Sequence, residues 1–168
     1  TPITMKKLIS LALLLSFGFM SAQAFKGKGD AKFNVGATLQ NGGTGIQLST
    51  DFGLGENLSY GFSTGYLLGV DEILGEKPEF KDRFDAKFRI NANLGNVLKI
   101  DEKLDVYPGL SLSLKNFGGH VGVRYFFTDG FGVYSEAAFP IAKYDNNNTV
   151  FNHLNNQFSF NIGASFNM

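Results

Sequence analysis

The sequence predicts an all-β protein, an eight-stranded antiparallel up-and-down transmembrane β-barrel, on three observations. Residues after position 24 fall into segments that alternate apolar and polar side chains with a period of two. Turn-forming residues separate those segments at short intervals, and the non-apolar face is rich in Gly and Ser rather than in long charged side chains. Together these describe a closed sheet with one apolar face and one crowded face.

The first alternating segment runs from Ala31 to Gln40, and the next two from Gly45 to Leu54 and from Leu58 to Val70. The clearest is Arg83 to Leu94, in which Phe84, Ala86, Phe88, Ile90, Ala92 and Leu94 alternate without error with Arg83, Asp85, Lys87, Arg89, Asn91 and Asn93. Such a segment is long enough to cross a bilayer as a tilted strand of ~9 to 11 residues. Leu104 to Lys115, His120 to Phe127 and Phe131 to Ile141 follow, and the pattern closes with Phe158 to Met168. No later stretch shows a helical period over a useful length.

The turns set the expected register. Asn41-Gly42 reads as a two-residue type I′ turn that places Ala37 opposite Ile46 and Val35 opposite Leu48. Thr128-Asp129-Gly130 reads as a bulged hairpin pairing Phe127 with Phe131 and Tyr125 with Val133, with Gly130 in the left-handed position. Asn116 to Gly119 reads as a four-residue turn placing Leu112 opposite Val123. Pro108 and Pro140 remove ladder donors and require a bulge or the barrel rim.

With both ends on one side, the connections near 71–82 and 142–153 lie on the opposite, outer side, which fits the short-inside, long-outside arrangement of outer-membrane barrels. Phe52, Tyr60, Tyr125, Phe127, Phe131 and Phe166 then gather at the inner boundary of the apolar face as an aromatic girdle. Lys32, Asp51, Arg83, Asp85, Lys87, Arg89, Asp105, Lys115, Arg124 and Glu136 share the other parity and form a mixed-sign charge network in the lumen. A soluble lipocalin-like barrel is the rival, and the scarcity of long charged side chains on the non-apolar face argues against it.

The N-terminal stretch carries its own signal. Lys6 and Lys7 follow Met5, an apolar run extends from Leu8 to Met20, and Ala22-Gln23-Ala24 supplies a cleavage site. This is a secretory signal peptide over residues 5–24, cut after Ala24, with the barrel over 25–168. Thr1 to Thr4, ahead of the natural-looking Met5, read as an artefact. There is no Cys, which excludes a disulfide framework or a thiolate metal site. Fifteen basic and fifteen acidic residues give no net charge, so nucleic acid is not an expected partner.

Candidate chemistry is sparse. Arg124 and Glu136 are diagonal neighbours in the predicted hairpin and are expected to form an ion pair. His120 and His153 fall at the outer rim, where a lipid-modifying or proteolytic site would sit, but no nucleophile and carboxylate are placed beside them by spacing. Asp71, Glu72, Glu76 and Glu79, and Asp145-Asn146-Asn147-Asn148, offer oxygens to a hard cation without the spacing of an ion loop, and turn chemistry accounts for them. The expectation is no cofactor, no metal and no catalytic site.

Val121-Gly122-Val123-Arg124-Tyr125-Phe126-Phe127, then Thr128-Asp129-Gly130, then Phe131-Gly132-Val133-Tyr134-Ser135-Glu136-Ala137, resembles the small outer-membrane β-barrel families of the OmpA and OmpX type, and especially the porin-like outer-membrane β-barrel family. The resemblance covers the mature chain in pattern and this hairpin in motif. It implies residence in the bacterial outer membrane as a monomer, among lipid and lipopolysaccharide, with the barrel-assembly machinery as partner during biogenesis. Phe160 and Phe166 keep the pattern of the C-terminal assembly signal, and Met168 stands where an aromatic terminus is usual. The expected function is non-enzymatic: a barrel with a side-chain-filled lumen, structural or binding a surface ligand through its outer loops. A narrow pore is the alternative, and an envelope enzyme the third.

Overall fold

A computed structural model describes residues 23–144 and 149–168. Residues 5–22 of the expected signal segment, including Ala22, lie outside the described residues, as does Asp145–Asn148, whereas Gln23 and Ala24 lie within them. Eight strands form one closed antiparallel barrel in sequential order: β1 (Ala31–Gln40), β2 (Gly43–Gly53), β3 (Leu58–Val70), β4 (Phe84–Ala92), β5 (Leu104–Ser113), β6 (Asn116–Phe126), β7 (Phe131–Lys143) and β8 (Ser159–Asn167). The ring closes between β1 and β8, from Lys32↔Asn167 to Gln40↔Ser159. One-turn helices α1 (Phe80–Arg83) and α2 (Gly95–Leu98) lie in the two connections that flank β4.

The faces are inverted relative to a water-soluble protein. Leu48, Phe62, Phe88, Ile90, Leu110, Leu112, Val121, Val133 and Ile162 point outward and are exposed, whereas Lys32, Asp51, Arg89, Asp105, Arg124 and Glu136 are buried inside. Charged side chains are seldom fully buried unless paired, and large contiguous apolar surface is uncommon on soluble monomers. The packed centre of this molecule is its polar lumen.

Registers at the first and sixth hairpins are those the turns specify: Ala37 faces Ile46, Val35 faces Leu48, and Tyr125 faces Val133. The turn backbones differ from expectation. A type I′ turn needs positive φ at both central residues, and only Gly42 of Asn41-Gly42 has it (φ 75°). Among the described residues, Leu74-Gly75, at φ 54° and 77°, is the pair with both residues left-handed. Gly130 is not left-handed, and Thr128 Oγ1 instead accepts the Phe131 N–H to close its loop.

The β5–β6 connection is a correction. Its loop is Leu114–Lys115 rather than 116–119, and Leu112 pairs with Phe117 while Val123 pairs with Val106. Alternation is blind to a slip by an even number of residues, because every side chain keeps its face. The turn is fixed instead by Ser113 Oγ, which accepts the N–H groups of Lys115 (3.0 Å) and Asn116 (2.9 Å). Both prolines sit where ladders are incomplete: Pro140 lies beyond the last β7–β8 pair and beside the β6–β7 irregularity, and Pro108 lies beyond the last β4–β5 pair.

Candidate functional site: a charged lumen closed at both mouths

The middle of the lumen is crossed by ion pairs between distant strands. Arg89 of β4 donates from Nη2 and Nη1 to the two carboxylate oxygens of Glu136 on β7, at 2.6 and 3.3 Å. Its Nε lies 3.2 Å from Asp51 Oδ1 of β2. Arg124 of β6 donates from Nη2 to Asp51 Oδ2 at 2.7 Å, and its Nε is 3.9 Å from Asp105 Oδ2 of β5. The expected Arg124–Glu136 pair does not form. Glu136 faces Gly122 in the ladder, so Arg124 is its diagonal neighbour, yet each side chain reaches across the lumen to an opposite charge on another strand.

Neutral groups complete the layer. Asn91 Nδ2 donates to Asp51 Oδ1 and to Ser59 Oγ, both at 3.0 Å, while Asn91 Oδ1 takes Arg89 Nε at 3.3 Å and lies 2.7 Å from His120 Nε2. Asn93 donates to Asp105 Oδ2 at 2.7 Å. The Tyr107 ring lies under the Arg124 guanidinium at 4.1 Å and near that of Arg89 at 5.8 Å. Gly122 makes this stacking possible, since a Cβ there would come within 2.1 Å of the Tyr107 ring. His120 is therefore an interior residue, 3 % exposed in the middle of β6, and not at the outer rim. The error follows from placing the turn at 116–119. His153 does lie at the outer end, with Nε2 beside Gly42.

Each mouth is covered. On the inner side, Phe25 is buried and Asn96 Nδ2 donates to Phe25 O at 3.3 Å, while Ala24, the last residue of the expected signal segment, is buried beside Phe126. Lys32 pairs with Asp30 beneath them and sits 5.2 Å from the centre of the buried Phe126 ring. On the outer side, the connection from β7 to β8 folds inward, and Phe151 and Leu154 pack on Leu67 of β3. Asn155 locks it: its N–H donates to Gln40 Oε1 at 2.7 Å, and its Nδ2 donates to the carbonyls of Asp82 and Arg83. Lys115 donates to Leu154 O at 3.0 Å and to Asp82 O at 3.2 Å, and burial pushes its ammonium below the ordinary lysine range.

Six of the ten charged residues assigned to the lumen, Lys32, Asp51, Arg89, Asp105, Arg124 and Glu136, are buried there and paired. Asp85 is also buried, 3.7 Å from the partly buried Lys87 and, among the described residues, without a hydrogen-bond partner for either oxygen. Arg83 and Lys115 stand at the outer rim, and Arg83 Nη1 donates to Leu67 O and Leu68 O. Sequence reasoning missed Asn91, Asn93, Tyr107 and Asp30. The first three carry the lumen parity of their strands, and a Tyr opposite a Gly flanked by Asp105 and Arg124 was the available signal.

The aromatic residues assigned to a girdle lie in two arcs near the inner end. Tyr125, Phe127, Phe131 and Phe166 follow one another with ring centres 5.4 to 6.2 Å apart and continue to Phe33 at 6.5 Å. Phe52 packs on Tyr60 at 5.6 Å. The acidic outer residues pair locally, Glu72 with Lys77 and Glu79 with Lys81. Among the described residues there is no group of three or more His, Cys, Asp or Glu placed to hold a metal ion.

The profile of a family described as "Family of unknown function (DUF6646)" matches residues 15–168. No curated protein matches the chain. Among solved structures, the N-terminal β-barrel domain of Pseudomonas aeruginosa OprF is similar in fold, with a TM-score of 0.58 over 85 % of this chain and 100 % of that one, at 12 % sequence identity.

Proposed function

The chain belongs to the DUF6646 family, whose function is unknown, and from its barrel we propose a non-enzymatic protein of the bacterial outer membrane that does not conduct. The outward apolar face supports the membrane reading, because only a lipid solvent removes the cost of exposing so many large side chains at once. The tyrosines and phenylalanines near the inner end then serve as the interfacial girdle.

One observation carries the closed-lumen reading: Arg89 and Arg124 span the lumen to Asp51 and Glu136, and all four are at most 4 % exposed. A solute crossing the barrel would have to break at least one of these pairs, leaving a buried charge uncompensated at a cost of about 3 to 5 kcal/mol. The role that remains is structural or adhesive. The outer connections, locked to one another through Asn155 and Lys115, form the working surface.

Planar-bilayer recording of the refolded barrel tests this. No steady current at moderate voltage is expected, and a stable solute-permeable conductance would contradict it.

A further inference from the structure

The barrel wall is lowest at its outer end between β4 and β5. Their ladder has five pairs, from Lys87↔Ser113 to Asn91↔Gly109, whereas β2 and β3 share eleven. Above Lys87, the Leu114 N–H reaches Ala86 O and the chain then turns into β6, so Phe84 and Asp85 pair only with β3.

Two adjoining grooves open at this notch and share Phe84 and Leu114. One, about 350 Å³, lies at the rim beneath Phe80 and Phe151 and takes in Lys81, Lys115 and Asn156. The other, about 570 Å³, descends the outward face past Phe62, Ala86, Phe88 and Leu112. Small side chains make the trough: Ala86 and Thr64 face each other across the ladder, with Phe62 facing Phe88 below them.

The two grooves differ in chemistry. The upper one offers donors: the Lys81 ammonium is exposed, though 3.1 Å from Glu79 Oε2, Lys115 lines the same space with its ammonium also donating to the carbonyls of Asp82 and Leu154, and Asn152 and Asn156 line it too. The Asp82 carboxylate beside them already accepts the Glu79 N–H at 2.8 Å. The exposed surface of the lower groove is almost wholly apolar and follows β4 from Phe84 to Phe88, four steps or roughly 13 Å at ~3.3 Å per residue. An unfilled trough on a lipid-facing wall forfeits dispersion contacts along its length.

We propose that the notch is a lipid site, in which an anionic phospholipid lays one acyl chain along Phe84, Ala86, Phe88 and Leu112 and sets its phosphate against Lys81 and Lys115. The inference rests on the membrane reading above and adds a specific occupant to it. Lys81 and Leu114 determine retention, and both are exposed enough to change without disturbing the lumen.

The test is native mass spectrometry of the full chain released from phosphatidylcholine bilayers that contain a minority of phosphatidylglycerol. The expected result is one retained phosphatidylglycerol per barrel, with retention falling several-fold in Lys81→Glu and Leu114→Glu and unchanged in Lys77→Glu, whose side chain lies outside both grooves. Equal retention of the two lipids, or retention indifferent to Lys81→Glu and Leu114→Glu, would overturn the site. A barrel that enters the bilayer and resists detergent yet shows no preference overturns the site alone. A chain that fails to enter the bilayer overturns the membrane reading with it.

Discussion

At the scale of single residues, stability in this barrel depends on buried charges that have few alternatives. Arg89 is the shared partner of Glu136 and Asp51, and Asp51 retains Arg124 when Arg89 is lost. Arg89→Met therefore strands Glu136 in particular. A loss of about 3 to 5 kcal/mol is expected, read as a lower midpoint in urea unfolding of the vesicle-bound protein. An added Glu136→Gln change removes the stranded charge, so the double variant is expected to be more stable than Arg89→Met. Gly122 is constrained by geometry, since any Cβ meets the Tyr107 ring. Gly122→Val is expected to cost about 1 to 3 kcal/mol through overpacking, and Tyr107→Ala in the same background should recover part of that loss. A full-strength effect in both backgrounds would mean that the ring is not the obstacle.

At the scale of strands and turns, the outward and inward faces make opposite demands on substitution. Phe88, at the centre of β4, packs edge-on against Phe62 and is outward. Under the proposed membrane placement, arginine at this mid-strand, lipid-facing position is expected to cost about 2 to 4 kcal/mol. Parity alone suggests that arginine at Asn91 would be milder, since that position faces the lumen. The contacts of Asn91 with Asp51, Ser59, Arg89 and His120 leave no space for it, so Asn91→Arg is expected to fold poorly as well. Folded fractions of the two variants, compared by electrophoresis without boiling, check both statements.

The same contrast shows what the sequence made legible. Strand existence, parity and the hairpin around Thr128-Asp129-Gly130 follow from local alternation and turn chemistry. The β5–β6 register does not, because Asn116-Phe117-Gly118-Gly119 has turn-like composition and an even slip preserves both faces. Moving that turn moved His120 from the rim to the interior. Partner choice among the buried charges was equally hidden: parity places Arg124 and Glu136 in one lumen, but barrel curvature decides which opposite charges meet across it.

At the scale of the whole molecule, three separate layers close the lumen: the N-terminal segment over the inner mouth, the arginine–carboxylate layer, and the β7–β8 connection over the outer mouth. Replacing residues 149–157 by a short Gly-Ser turn is expected to leave the barrel electrically silent, since the central layer remains. Conductance appearing on that change alone would assign closure to the outer connection. The inverted distribution of side chains carries the proposed membrane residence, under which the bilayer is a condition of folding. Electrophoresis in sodium dodecyl sulfate, with and without boiling, after refolding into phospholipid vesicles tests it most directly. A folded transmembrane barrel resists the detergent until heated, so two bands of distinct mobility are expected, with the folded band absent when lipid and detergent micelles are omitted from refolding. A single mobility under both treatments, with native strand content reached in plain buffer, would contradict it.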